Sequence, residues 1–341
     1  MDNRLPEALL PWFGEHKRDL PWRQDREPYH VWLSEIMLQQ TRVEAVKGYY
    51  SRFLSALPTI AELATVDSDS LYKLWEGLGY YSRVRNIQKA AVQIMEYHQG
   101  VFPREYQSIR DLAGIGDYTA GAISSICFEQ PTPAVDGNVL RVMARLEGDF
   151  DDITLAKTKK KVAENLEKIY PTGHCGDFTQ SLMELGATVC VPNGAPKCEC
   201  CPCRDFCVCF GENLQEKLPV KAPKKPRRVE RRTVFLLFCD DAVAVEKRPA
   251  KGLLAGLWQF PNVEGALAVQ EAMEQVAQWG AKPSNLMKYE EKVHIFTHIQ
   301  WEMGCYTVEC QGKCPQFQWV TRGEIANDVA LPTAFRQFWN P

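Results

Sequence analysis

Seven cysteines fall within the twenty residues CVPNGAPKCECCPCRDFCVC, from Cys190 to Cys209. Four thiolates in one loop can hold either a Zn ion or an iron–sulfur cluster. One set, Cys190, Cys198, Cys201 and Cys207, reads C-x7-C-x2-C-x5-C. Such short, uneven gaps suit a loop wrapped around a compact cube, whereas Zn ribbons more often show two separated C-x2-C knuckles. The spacing therefore favours an iron–sulfur cluster over Zn, and Zn over free thiols. Cys200, Cys203 and Cys209 form a second C-x2-C-x5-C register, farther from Cys190.

Two carboxylates stand out next. Glu35 lies within VWLSEIML, an apolar neighbourhood. Burial raises the pKa of a carboxylic acid, so such a group can stay protonated and serve as a general acid. Taken alone, the position suits a solvated helix residue better. Asp136 precedes Gly137 and Asn138 at an apparent helix start in VDGNVLRVMAR, where aspartate commonly acts as an N-cap. Between them, LAGIGDYTAGAIS (112–124) reads as helix, tight hairpin, helix. Gly114 and Gly116 can take positive φ and admit a backbone close by. Their N–H groups, at the start of a helix expected from Thr119, can grip an anion such as phosphate. A lone G-x-G is usually a plain turn; hairpin, Pro-rich loop and aspartate together are more specific.

Helices must position these groups. Apolar residues recur at three and four in Leu33, Ile36, Met37 and in Leu71, Leu74, Trp75, Leu78, and 157–170 reads as an amphipathic helix. Residues 1–215 are thus expected to form a helical region. Residues 216–232 carry three prolines and eight basic residues, the composition of an extended linker that also suits a DNA backbone. From 233 to 341 the texture is α+β. TVFLLF (233–238) and AVAVEKR (242–248) suit a hairpin, a helix is expected over 265–279, and strands over 293–303 and 305–310. The formal charge of −3 neither supports nor excludes nucleic acid, because a local basic face matters more than the sum. The start, MDNRLPEALLPWF, lacks the features of a signal peptide, and no apolar run suits a membrane span. Thirteen cysteines without such a signal imply a reducing, cytoplasmic setting.

Hairpin, aspartate and four-cysteine loop, in that order, resemble the helix-hairpin-helix DNA glycosylases with a 4Fe–4S cluster. Within them, PWR (21–23), SEIMLQQTRV (34–43), LWEGLGYYSRVRN (74–86) and AVDGNV (134–139) look like adenine DNA glycosylases of the MutY type. The resemblance implies a multidomain protein: an all-α region with an iron–sulfur loop at 190–207, then an α+β Nudix-like domain. It implies a monofunctional base-excision enzyme, a monomer that removes adenine opposite 8-oxoguanine or guanine in double-stranded DNA. It assigns Glu35 to adenine protonation and Asp136 to stabilising the sugar cation, with Tyr118 and Asn138 in support. Tyr118 stands where related lyases carry the lysine that forms a Schiff base. Gln40 and Tyr80 fall at positions that wedge the duplex open, and Gly114 and Gly116 at the backbone-gripping hairpin. Cys190, Cys198, Cys201 and Cys207 match the cluster ligands, although the family usually spaces the first two by six residues rather than seven.

KGLLAGLWQFPNVEG (251–265) resembles the Nudix fold, but GALAVQEAMEQVAQWG (265–280) lacks the Arg-Glu and paired glutamates of the metal-collecting box. Glu271 and Glu274 read as a solvated helix face, and the domain as a binding module. The family's lesion-reading Phe-Ser-His is here Phe296-Thr297-His298, so Thr297 and His298 become candidate DNA contacts. Other readings are a glycosylase with another mismatch preference, a redox-sensing iron–sulfur protein in which Glu35 and Asp136 are structural, and a nucleotide hydrolase, which the missing box disfavours.

Overall fold

A computed structural model describes residues 3–223 and 226–339; Lys224 and Lys225 of the expected linker lie outside the described residues. The chain forms two compact units, one of residues 1–65 and 85–223, the other of 66–84 and 224–341.

The first unit is helical. Its Leu5–His16 helix buries Leu5, Leu9, Trp12 and Phe13. The next, Pro28–Met37, starts on a proline, whose missing N–H costs nothing in a first turn. Eight of its ten residues are buried, which explains an apolar run without an amphipathic stripe. Trp32 and Leu33 are fully covered, and each contributes roughly 1.5–3 kcal/mol of apolar burial. Three more helices complete the frame of the site: Asp117–Phe128, Gly137–Glu147 and Cys175–Thr188. The last two pack with Leu5–His16 around Val139, Leu140, Met143, Phe178, Leu182 and Leu185. The helix expected over 157–170 runs from Ala156 to Glu167.

The second unit holds a seven-stranded sheet: β1 (Arg228–Cys239), β2 (Ala242–Lys247), β3 (Trp258–Gln259), β4 (Asn262–Glu264), β5 (Pro283–Ile295), β6 (Ile299–Cys310) and β7 (Gln318–Thr321). The path runs β3-β2-β1-β6-β5, with β4 on β1 and β7 on β2. β1 and β6 pair in parallel, and the other pairs are antiparallel. Val234 and Leu236 face one core layer with Trp301 and Phe335, while Phe235 and Leu237 face the other with Ala272 and Val276 of the Val269–Gln278 helix. TVFLLF is uniformly apolar because both faces are covered. Residues 66–84 belong here through Lys73, whose Nζ donates to the carbonyls of Ile325 (3.0 Å) and Val329 (3.1 Å). Glu76 adds Arg336 at 2.9 Å and the Leu331 N–H at 3.0 Å.

Several expectations need correction. The boundaries 1–215, 216–232 and 233–341 differ from these units, because 66–84 packs with the second and Arg228–Arg232 begin β1. A basic composition hid that strand: Arg232 lays its guanidinium over the Trp301 ring at 4.4 Å, covering apolar surface while its charge is paired. The 265–279 helix is shorter, Val269–Gln278. The strands expected over 293–303 and 305–310 are instead β5 and β6, with a turn at 296–298, where Phe296 N–H donates to Ile299 O at 2.8 Å. Gly304 does not break β6; the Tyr289 ring lies over it.

Candidate active site

Glu35 projects from the Pro28–Met37 helix and is 7% exposed. The Tyr118 hydroxyl, one residue into the hairpin helix, donates to Glu35 Oε2. Burial pushes the Glu35 carboxyl up to about 7. The Tyr118 hydrogen bond and Arg23 oppose the rise, and Asp136 adds to it. Burial, with Glu35 and Asp136 close by, holds the Tyr118 phenol well above its ordinary value, so it stays a donor.

Asp136 caps the Gly137–Glu147 helix: Oδ1 accepts from Val139 N–H at 2.7 Å and Oδ2 from Asn138 Nδ2 at 2.8 Å. Burial raises this carboxyl, against those donors. Small residues bring the pieces together. A Cβ on Gly121 would lie 2.2 Å from Pro133 O, so the Pro-rich loop presses directly on the hairpin helix. A Cβ on Gly186 would lie 2.6 Å from Asn138 Cβ. Glu35, Tyr118, Asp136 and Asn138 thus share one region of the first unit.

Asn138 Oδ1 accepts from Arg141 Nη2 at 2.9 Å, and Arg141 Nε donates to Cys190 O at 2.8 Å. Arg145, one turn on, donates to Cys190 Sγ at 3.3 Å and Val191 O at 3.1 Å. Arg141 therefore ties Asn138, partner of the capping aspartate, to the cysteine loop, and Arg145 of the same helix holds that loop as well. Cys190, Cys198, Cys201 and Cys207 line one apolar cavity, with Val142, Leu146, Leu185 and Val189, and Cys209 reaches it too. Cys200 is exposed, its thiol donating to Lys197 O, and Cys203 is buried next to Cys201. Among the described residues, no three His, Cys, Asp or Glu side chains are grouped to hold a single metal ion.

In the hairpin, Gly114 has φ +76° and its missing Cβ leaves room for Asn86. Gly116 does not need positive φ: it takes φ −103° as N-cap of a helix that begins at Asp117, two residues before the expected start. A Cβ there would meet nothing in the chain. Both glycines are exposed, while Ile115 between them is buried. Gln40, exposed in the turn after the Glu35 helix, has φ +60°.

In the second unit, Tyr80 is 45% exposed with φ +48°. Left-handed φ strains a residue with a Cβ, and here a web of bonds holds the turn. Arg83 Nη2 donates to Leu78 O (2.9 Å) and Gly79 O (3.1 Å), and Trp75 Nε1 donates to Gly79 O (3.0 Å). The Tyr80 hydroxyl lies 3.2 Å from Thr297 Oγ1. Thr297 and His298 are exposed at the β5–β6 turn, and Phe296 packs on Trp301 at 4.9 Å. Arg228 N–H donates to His298 O at 3.1 Å, so β1 braces the turn. Glu271 caps its own helix by accepting from Ala268 N–H at 2.8 Å, and Glu274 is exposed.

Sequence reasoning missed Glu184, the buried partner of Arg18 and Arg23. A signal existed: SLMELG puts one carboxylate among apolar residues, as WLSEIM does for Glu35. Arg141 and Arg145 gave no comparable sign, and Cys209 was read only within the second register.

Residues 33–172 match the HhH-GPD superfamily of base excision DNA repair proteins, and 233–340 match the NUDIX domain. The adenine DNA glycosylase of Rattus norvegicus is 33% identical over 96% of this chain and 76% of its own. That of Homo sapiens is 33% identical over 97% and 72%. Among solved structures, a thermostable thymine-DNA glycosylase aligns with TM-score 0.56 at 28% identity, covering 60% of this chain and 94% of that one. A non-covalent endonuclease III–DNA complex shares the fold, with TM-score 0.53 at 23% identity over 63% and 99%. Likeness to the curated relatives runs along nearly the whole chain, beyond the helical part that other base excision enzymes share. The protein belongs to the adenine DNA glycosylases of the MutY type.

Proposed function

We propose that this adenine DNA glycosylase acts on adenine opposite 8-oxoguanine, and on adenine opposite guanine, in double-stranded DNA, by acid-catalysed hydrolysis without a lyase step. The buried Glu35 carboxyl, held near neutrality and bonded to Tyr118, carries this reading. A leaving adenine needs a proton, and a carboxyl raised to about 7 still carries one in a large share of molecules near neutral pH. The sugar left behind develops positive charge. Asp136, with Val139 N–H and the Asn138 amide donating to its oxygens, is the carboxylate better suited to stay ionised and face that charge. Tyr118 keeps its proton and cannot form a Schiff base. Gly114 and Gly116 leave the hairpin open to a phosphate. Gln40 and Tyr80, exposed and strained, suit wedges that hold the opened stack. The Thr297 hydroxyl and His298, exposed at a braced turn, suit polar contacts to the oxidised base opposite adenine.

We also propose a 4Fe–4S cluster on Cys190, Cys198, Cys201 and Cys207. A cluster spreads its thiolates around a void, and these four surround an apolar cavity with Arg145 donating to one sulfur. Cys200 and Cys203 do not line that cavity, which disfavours the second register, although Cys209 does. When bound, the cluster would supply iron for these four thiolates to ligate, and those bonds would stiffen the 190–207 loop. The expected operating state is a monomer in a reducing cytoplasm, with no membrane involved. Among the described residues no helix is long and apolar enough to cross a membrane.

The test is incubation with duplexes carrying adenine opposite 8-oxoguanine, guanine or thymine, then alkali to reveal abasic sites, with a parallel borohydride trap. Cleavage ranked 8-oxoguanine, guanine, thymine with little trapped adduct is expected. Equal cleavage of all three, or trapping as efficient as a lyase's, would reject it. Iron should accompany the purified chain, persist in Cys200→Ser and be lost in Cys198→Ser; stoichiometric Zn without iron would reject the cluster.

A further inference from the structure

Glu184 lies between Leu182 and Leu185 on the Cys175–Thr188 helix, its carboxylate fully covered. Four hydrogen bonds end on it: Arg18 N–H at 3.1 Å, Arg18 Nε at 2.6 Å, Arg18 Nη2 at 2.9 Å and Arg23 Nη2 at 2.8 Å. Arg23 Nη1 also donates to Arg18 O at 3.1 Å. Two guanidiniums thus share one buried carboxylate, and the knot keeps a net positive charge. Burial works against the Glu184 carboxylate, yet the two arginines hold its pKa below the ordinary value. Arg23, 14% exposed, is close enough to Glu35 to favour its ionised form. Met183, the preceding residue, places its sulfur 4.0 Å from the Tyr118 hydroxyl, so this turn of the helix also reaches the pocket.

We propose that Glu184 is a positioning residue: shared between Arg18 and Arg23, it pins the Arg23 guanidinium at the edge of the Glu35–Tyr118 pocket and offsets enough of its charge for Glu35 to remain a proton donor. The proposal rests on reading Glu35 as the general acid. The groups facing Glu35 are Tyr118 from the hairpin helix, Asp136 from the capping loop, Arg23 from the Pro21–Arg23 turn and Cys127 from the far end of the hairpin helix. Asp136 favours the protonated acid, while Arg23 and the Tyr118 hydrogen bond favour the ionised one. Without Glu184, the Arg23 guanidinium stands uncompensated and the balance tips toward ionisation.

The experiment is single-turnover cleavage of a duplex with adenine opposite 8-oxoguanine, at saturating enzyme, between about pH 5 and pH 9. Glu184→Gln should lower the midpoint of the alkaline fall by about half a unit or more. The rate should drop several-fold on the alkaline side and recover toward the parent in acid. Arg23→Gln should move the midpoint the other way, and the double variant should return it toward the parent. A folded Glu184→Gln protein with the parental profile would overturn the proposal. Removing one partner of a buried pair can unfold a protein, so circular dichroism accompanies each variant. If Glu184→Gln does not fold, Arg23→Gln decides, and an unmoved midpoint overturns the idea. Glu35→Gln runs alongside. Parental cleavage there would sink the general-acid reading itself, whereas an inactive Glu35→Gln with an unshifted Glu184→Gln would sink this inference alone.

Discussion

Tyr118 and Thr297 each present a hydroxyl, one to a covered carboxyl in the helical unit and the other to an open turn in the sheet unit. Around Tyr118, Glu35 is almost without solvent, and Asp136 and Asn138 are fixed by a helix cap and by Arg141. At the turn, Thr297 and His298 are exposed, and among the described residues the Thr297 hydroxyl meets that of Tyr80, itself exposed. On the proposed reading, the contrast follows from the tasks. A proton donor needs a low dielectric to hold its proton at neutral pH, so it is buried at a cost to stability. A reader of an external base must keep its polar atoms available, so only its frame is held: half-buried Phe296 against Trp301, and Arg228 on the backbone.

That comparison can be broken at either end. The largest effect is expected at Glu35. Glu35→Gln keeps size and the Tyr118 hydrogen bond but removes the transferable proton, so base removal should vanish while DNA affinity stays within about tenfold, ~1.4 kcal/mol. The same change should stabilise the fold at high pH. Glu35 carries a pKa of about 7 in the folded protein against an ordinary 4.5. The folded state then binds more protons between these values, so stability falls as pH rises across that window. Glu35→Gln should escape a penalty on the order of 1–3 kcal/mol above neutrality and show no gain below the ordinary carboxyl range. Thermal melts in acid and alkali check the sign.

Asp136→Asn comes next. It keeps the cap geometry and removes the charge, so single-turnover cleavage should fall on the order of a hundredfold. A rate near the parent's would mean that Asp136 serves only as a cap. Smaller again is the effect at the open turn. Replacing Thr297 and His298 with Ala should leave adenine removal intact but narrow the preference for 8-oxoguanine over guanine on the order of tenfold, from one polar contact of ~1–3 kcal/mol. Tyr80→Phe, which removes one hydroxyl of the pair, should narrow it less, about two- to fivefold, from ~0.5–1 kcal/mol. Competitive cleavage of the two duplexes measures both.

The same contrast explains what the sequence disclosed. Asp136 was readable as an N-cap because capping is local, and the structure shows that cap. The hairpin at Gly114 was readable because positive φ leaves a glycine. The Arg23–Glu184 pair was not, since its members lie 161 residues apart and meet only through tertiary packing. Nor was the place of residues 66–84, whose anchors, Lys73 and Glu76, find backbone and arginine partners more than 250 positions away. In the sheet unit, strand ends misled because Arg232 is basic yet covers an indole, and Gly304 breaks nothing under the Tyr289 ring.

The most direct measurement is the pH dependence of single-turnover adenine removal from a duplex with 8-oxoguanine opposite, for the parent and Glu35→Gln. A buried acid with a pKa of about 7 requires a parental rate that is high in mild acid and falls as pH rises through neutrality, with Glu35→Gln inactive throughout. A parental rate flat across neutrality, or a Glu35→Gln enzyme as fast as the parent, would contradict it.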